Sequence, residues 1–89
     1  MKPKQREEII KTEEIADIHL SAALVCNDRP VLSVEEVSQG RFAFEFEVTP
    51  EQKQLVTDYW NGALQVEPRQ FANTVRDLKA RAKSNAYGR

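Results

Sequence analysis

The strongest constraint on the fold is a strict alternation of apolar and polar residues over residues 41–48. Side chains of a β-strand point alternately to its two faces, so this period of two predicts a strand with one covered face and one wet face. The apolar set is Phe42, Phe44, Phe46 and Val48, and the other set is Arg41, Ala43, Glu45 and Glu47. An earlier strand over 31–37 and a turn at 38–40 complete a predicted antiparallel hairpin.

The segment before the hairpin predicts a buried helix. Asp17 is a suitable N-cap, since its carboxylate can accept hydrogen bonds from the free amides of a first helical turn. Residues 18–27 are apolar on nearly every side of a helix, which is typical of a helix packed all round. Pro30 ends this helix, because it pushes Arg29 out of the helical region.

A second helix is predicted directly after the hairpin. Thr49 is its N-cap, Pro50 takes the first helical position, and Gln52 is interpreted as the capping-box partner of Thr49. Asn61 and Gly62 form its stop signal.

A last helix opens at Pro68 and is predicted to reach about Lys83. Its apolar stripe has helical spacing and consists of Phe71, Val75, Leu78 and Ala82. Four basic side chains fall within a sector of about 80° beside and opposite this stripe, at about 100° per residue. They are Arg69, Arg76, Lys79 and Lys83.

Together these elements predict an α+β domain with the order β-α-β-β-α-α, in which helices cover one face of a small antiparallel sheet. The first strand is an open point, because the short extended segment over 11–16 has only Ile15 as a large apolar residue. We expect one domain over 12–83, preceded by a charged N-terminal arm over 1–11 and followed by a frayed tail over 84–89.

The sequence predicts a cytoplasmic protein without a membrane segment. Cys26 is the only cysteine of the 89 residues, so no disulfide can form within the chain, which favours a reducing compartment. No apolar run approaches the roughly 18–20 residues that cross a bilayer. The charged residues 1–8 do not have the pattern of a signal peptide.

No group of residues predicts catalysis, a cofactor or a metal. His19 is the only histidine, and Cys26 lies at a helix C-terminus, where the helix dipole disfavours a thiolate. Glu45 and Glu47 share the wet face of a strand and are interpreted as solvated charges, as is the pair at 35–36. With three glycines, the chain has no phosphate-binding loop. We therefore expect a non-enzyme without a cofactor, and no small-molecule substrate is identified.

The charge distribution raises a nucleic-acid hypothesis. Residues 13–66 contain three basic and ten acidic side chains, whereas residues 67–89 contain six basic and two acidic ones. The four basic residues of the last helix could contact phosphates, which would make binding salt-dependent. However, the isoelectric point of about 5.8 is low for a dedicated nucleic-acid domain. The alternative interpretation is that this basic face is only the solvated side of an amphipathic helix.

An aromatic set raises a protein-interaction hypothesis. Tyr and Trp are enriched at interface hot spots, and the chain offers Tyr59, Trp60 and Tyr87. The alternative is that Trp60 closes the core beneath the turn at 61–62.

Two runs of the sequence are similar to motifs of a known family. Residues 17–24, preceded by Thr12, resemble a T-x-D-x-x-L-A-A-x-L opening, and residues 59–79 resemble a Y-[YW]-N-G…V-[DN]-P…F…L-K ending, with an F-x-F strand between them. The chain departs from the opening in two ways: four residues instead of one separate Thr12 from Asp17, and Ser21 replaces the first alanine. The motifs resemble a family of small bacterial and phage domains of unknown function, over about residues 12–83. The resemblance implies the fold order above and a bacterial or mobile-element origin, and it carries over no active-site residue.

Two functions therefore remain as hypotheses. The first is a small non-catalytic interaction module, acting as a homo-oligomer or as a small subunit of a larger assembly. The second is a nucleic-acid-binding accessory protein of a bacterium, phage or mobile element that uses the basic face of the last helix.

Overall fold

Three strands and three helices follow one another in the predicted order. The computed structural model describes residues 10–87, and their side chains up to Asn85. The elements are β1 (Thr12–Ile15), α1 (Ile18–Cys26), β2 (Ser33–Ser38), β3 (Arg41–Glu47), α2 (Pro50–Trp60) and α3 (Pro68–Tyr87). The α+β class is confirmed, and the segment over 11–16 does contain a strand. Most of the predicted arm over 1–11, and the end of the predicted tail over 84–89, lie outside the described residues.

β3 is the central strand of a three-stranded antiparallel sheet with the order β1-β3-β2. β1 pairs with one edge of β3 and ends at Ile15, opposite Phe44. β2 pairs with the other edge, with an irregularity between Glu36 and Ser38. Because β1 ends at Ile15, the first residues of β3 extend beyond it at one end of the sheet.

The two faces of β3 follow the predicted alternation with one exception. Phe44 and Phe46 are buried on the covered face, and Phe42 is half-buried. On the other face, Ala43 is also buried, although its position predicts a wet residue. In a central strand, longer side chains of the neighbouring strands stand beside a small residue and cover it, and Ala43 lies directly opposite Glu35.

The middle of α1 is buried on every side, as its apolar composition predicts, whereas His19 in its first turn is exposed. Asp17 caps the helix, because its carboxylate accepts hydrogen bonds from the backbone N–H groups of His19 and Leu20 at 2.9 and 3.0 Å. The five residues from Leu20 to Leu24 are all buried, which covers more than a full helical turn. Among them, the Ser21 hydroxyl has no hydrogen-bond partner within the described part of the chain.

α1 and α2 end in the same backbone motif, in which the residue after the C-cap takes a left-handed conformation. At the end of α1 this residue is Asp28, with φ +68°. The backbone N–H groups of Asp28 and Arg29 donate to the carbonyls of Val25 and Leu24, both at 3.0 Å. At the end of α2 the same position is Gly62, with φ +73°.

A polar network joins the start of α2 to the end of α1 and to β1. Thr49 caps α2 as predicted, accepting a hydrogen bond from the Gln52 N–H at 3.0 Å. The capping-box interpretation of the Gln52 side chain is wrong, since this fully buried amide reaches other elements instead. It accepts from Arg29 Nε and donates to Glu13 Oε2, both at 3.2 Å, while Arg29 also pairs with Glu51 at 3.5 Å. Arg29, Gln52 and Glu13 are called the closed-end network below.

α3 lies over α1 and β2 and completes the core. Of its predicted stripe, Leu78 is buried, and the other three residues pack half-buried against the core. The helix continues to Tyr87, four residues beyond its predicted end at Lys83. No helix-ending glycine or proline occurs in α3 before Gly88, so nothing in the sequence stops it earlier.

Candidate interaction surface

A pocket opens at the end of the sheet where β3 extends beyond β1. Its floor is the buried Phe44, and Phe42 forms part of the wall because it has no partner in β1. Ala16 and Ile18, on the two sides of the N-cap of α1, and Ala82 of α3 supply the other apolar walls. The cavity has a volume of about 550 Å³, and it is called the end pocket below.

The rim of the end pocket carries three charged side chains. Lys79 and Lys83 stand on the α3 side, and both are exposed. Glu36 of β2 also borders the pocket, where its carboxylate accepts a hydrogen bond from the Gly40 N–H at 2.9 Å. The rim therefore has a net positive charge beside an apolar cavity.

All four basic residues predicted as a nucleic-acid contact are exposed along α3, and they are called the basic stripe. They span fourteen residue steps, or about 21 Å at the rise of an α-helix. Arg76 donates a hydrogen bond to Asn73 Oδ1 at 2.8 Å. No ion pair joins any member of the set to another side chain between residues 10 and 85. The members are Arg69, Arg76, Lys79 and Lys83.

The end of α2 presents an exposed aromatic pair. Trp60 is 63% exposed, so it does not close the core. Its ring meets the ring of Tyr59 edge to face, at a centroid distance of 5.0 Å and an angle of 86°. Tyr59 packs against the core, where burial and the negative charge of Asp17 raise the pKa of its phenol. The side chain of Tyr87, the third member of the predicted set, lies outside the described residues.

The charges at the end of α2, near the aromatic pair, are negative. Asp58 lies two residues before Trp60, and Asp17 is close enough to Tyr59 for its charge to act on the phenol. The last turn of α2 contains no basic residue to offset the partial negative charge of the helix C-terminus. The aromatic pair and the end pocket thus have opposite electrostatic character.

The open face of the sheet is acidic. Glu14, Glu45 and Glu47 occupy this face, together with Glu35. Ser33 donates a hydrogen bond to Glu45 at 2.6 Å, and the hydroxyls of Ser33 and Thr12 lower the pKa of the Glu45 carboxyl. Glu36 alternates to the covered face, so it does not form a pair with Glu35.

The remaining chemically active side chains lie apart. His19 is exposed on α1, with its ring 6.1 Å from that of Phe71. Cys26 is half-buried, and its thiol lies 3.7 Å from the Thr74 hydroxyl. Within the described residues, no three His, Cys, Asp or Glu side chains are grouped so as to hold a metal ion. No helix in this part of the chain combines the length and apolar character of a membrane span.

The sequence reasoning missed the end pocket and the closed-end network. The one signal for the pocket was the shortness of the first extended segment beside a longer alternating strand. The signal for the network was Arg29, a charged residue three positions after the end of a helix that is apolar on nearly every side. Both features depend on contacts between distant parts of the chain.

Comparison with known families identifies the domain. A family model described as a domain of unknown function, DUF5659, matches residues 10–84. The chain belongs to this family, which confirms the expected resemblance to a family of domains of unknown function. No curated protein and no solved structure shows significant similarity to the chain.

Proposed function

We propose that this DUF5659 domain is a non-catalytic interaction module that binds a protein partner, either a further copy of itself or a larger assembly in which it is a small subunit. The observation that carries the proposal is the exposed Trp60, held against Tyr59 at the end of α2. We place the protein in the cytoplasm, because a single cysteine suits a reducing compartment.

An exposed tryptophan supported from below is typical of an interface anchor. Tryptophan has a large apolar surface, and burying it against a partner removes that surface from water. Tyr59 packs half-buried against the core and contacts the adjacent indole, which limits the freedom of the indole, so less conformational entropy is lost on binding. Trp and Tyr therefore often supply much of the binding free energy of an interface.

The proposal is tested by measuring association with and without the indole. We expect light scattering and cross-linking to detect self-association, or a pull-down from the native host to capture a partner. Trp60→Ala should weaken this association at least about tenfold. The matched control is Leu32→Ala, which removes another exposed apolar side chain, in the loop before β2. A strictly monomeric protein that captures no partner would contradict the proposal.

A second candidate function is nucleic-acid binding by the basic stripe. It is favoured by the exposure of all four side chains and by their lack of ion pairs between residues 10 and 85. We expect Arg76→Glu to weaken binding to DNA or RNA and to reduce its dependence on salt by the contribution of about one phosphate contact. Arg81→Glu is the control, because Arg81 is exposed on α3 outside the stripe. Absence of any retardation of DNA or RNA at low salt would exclude this function.

A further inference from the structure

The aromatic pair and the end pocket lie at the same end of the domain. Ala16 and Ile18 line the pocket, and they flank Asp17 in the chain. Arg29, which follows α1, donates a hydrogen bond to Gln52 in the first turn of α2, and the two helices pack together, so α2 runs back along α1 and ends near its start. The pocket and the pair are therefore on two sides of the start of α1.

The end pocket has the size and chemistry to receive an indole. Its volume of about 550 Å³ falls within the range of sites that bind small ligands. Phe42, Phe44 and Ile18 provide apolar surface for the ring. Lys79 and Lys83 stand at the rim, where an ammonium group can approach the face of an inserted tryptophan and form a cation–π interaction.

Charge complementarity indicates which indole would enter. The pocket rim is positive on its α3 side because of Lys79 and Lys83. The end of α2 is negative, because Asp58 stands beside a helix C-terminus without a basic residue in its last turn. A second copy of this chain would thus bring an exposed Trp60 on a helix end whose last turn has a net negative charge.

We propose that two copies of the chain exchange Trp60, each inserting its indole into the end pocket of the other. The inference rests on the proposed interaction function and names the partner as a second copy. Because pocket and indole lie at one end, a two-fold axis lets both insertions form in one closed dimer. Each indole buries about 150–250 Å², which is small beside a standard interface, so the dimer is weak and depends on concentration.

The single tryptophan of the chain permits a direct test. The Trp60→Ala chain has no tryptophan fluorescence but keeps the end pocket. Added to dilute wild-type protein, it should move the Trp60 emission to shorter wavelength and raise its anisotropy. The same chain carrying Lys79→Glu and Lys83→Glu should need at least about tenfold higher concentration for the same shift.

A matched acceptor separates the pocket from overall charge. Trp60→Ala with Arg69→Glu and Arg81→Glu has the same change in net charge on the same helix, outside the pocket, and should act like Trp60→Ala alone. No emission shift, or equal shifts with both charge-reversed acceptors, would overturn the pocket proposal. If light scattering still detects association that depends on Trp60, the interaction function stands without the pocket. If the wild-type protein neither self-associates nor captures a partner, both proposals fail.

Discussion

The two ends of the domain solve the placement of charged groups in opposite ways. The closed end is where α1 ends and α2 begins. There Gln52 is buried and Arg29 is nearly so, and hydrogen bonds between three elements satisfy both side chains. The open end is the end with the end pocket. There Lys79 and Lys83 are exposed beside an apolar cavity and form no ion pair with any side chain between residues 10 and 85. Stability should therefore depend on charge and polarity at the closed end, and binding should depend on them at the open end.

Among the substitutions that test this comparison, Gln52→Leu should have the largest effect on the free energy of unfolding. The leucine fills similar space but leaves Arg29 and Glu13 without the amide that joins them, and unpaired buried polar groups are costly. We expect a loss of about 2–4 kcal/mol in the free energy of unfolding, measured by urea denaturation. Gln54→Leu is the control, because Gln54 bonds only the neighbouring Asp58 on the surface of the same helix. Equal effects of the two leucines would mean that the closed-end network does not hold α2 in place.

The next largest effect on stability should come from exchanging the left-handed residues at the ends of α1 and α2. Asp28 takes a left-handed conformation at the closed end, where α2 uses Gly62 at the corresponding position. A side chain in that conformation is strained, so Asp28→Gly should stabilise the protein by about 0.5–1 kcal/mol, despite the larger entropy of glycine in the unfolded chain.

The reciprocal substitution, Gly62→Asp, tests the same argument in the other direction. Open space surrounds the position of a Cβ at Gly62, so only the backbone conformation opposes the new side chain. We expect a loss of about 1 kcal/mol by thermal or urea denaturation. If Asp28→Gly destabilised the domain instead, the Asp28 side chain would have a stabilising role at the closed end that outweighs its strain.

A gain of similar size is expected in the middle of the core, between the two ends. The Ser21 hydroxyl is fully buried, and it has no partner among residues 10–85. Ser21→Ala should therefore raise the free energy of unfolding by about 0.5–1 kcal/mol. Ser33→Ala serves as the contrast, since it removes a hydroxyl that donates to Glu45, and it should not stabilise the fold.

Local patterns predicted most of the fold, and they failed where distant contacts decide the outcome. The caps Asp17 and Thr49 and the stop at Gly62 each depend on neighbouring residues, and the structure confirms them. It also confirms the alternation along β3, except at the buried Ala43. The burial of Gln52 was missed, because its partner Glu13 is 39 residues away in the chain.

The candidate site was predicted only as separate residues. Helical spacing placed the basic stripe on one exposed face of α3, but it could not show that Lys79 and Lys83 border a cavity. That cavity exists because β1 ends at Ile15, and the pairing of β1 with β3 was not readable from the sequence. Trp60 lies at the edge of the apolar stripe of α2, where periodicity does not distinguish a buried residue from an exposed one.

The smallest effect on stability should come from the two lysines at the rim of the end pocket, although we expect them to contribute to binding. Lys79 and Lys83 are exposed, and reversal of exposed charges rarely changes stability by much. The double variant Lys79→Glu/Lys83→Glu should therefore unfold within about 0.5 kcal/mol of the wild-type protein in urea. The control is Arg29→Ala at the closed end, which removes one positive charge instead of reversing two and should destabilise the domain by more than about 2 kcal/mol. A large loss of stability in the lysine variant would mean that these ammonium groups stabilise the fold. The distinction between a closed end that stabilises the domain and an open end that binds a partner would then be wrong.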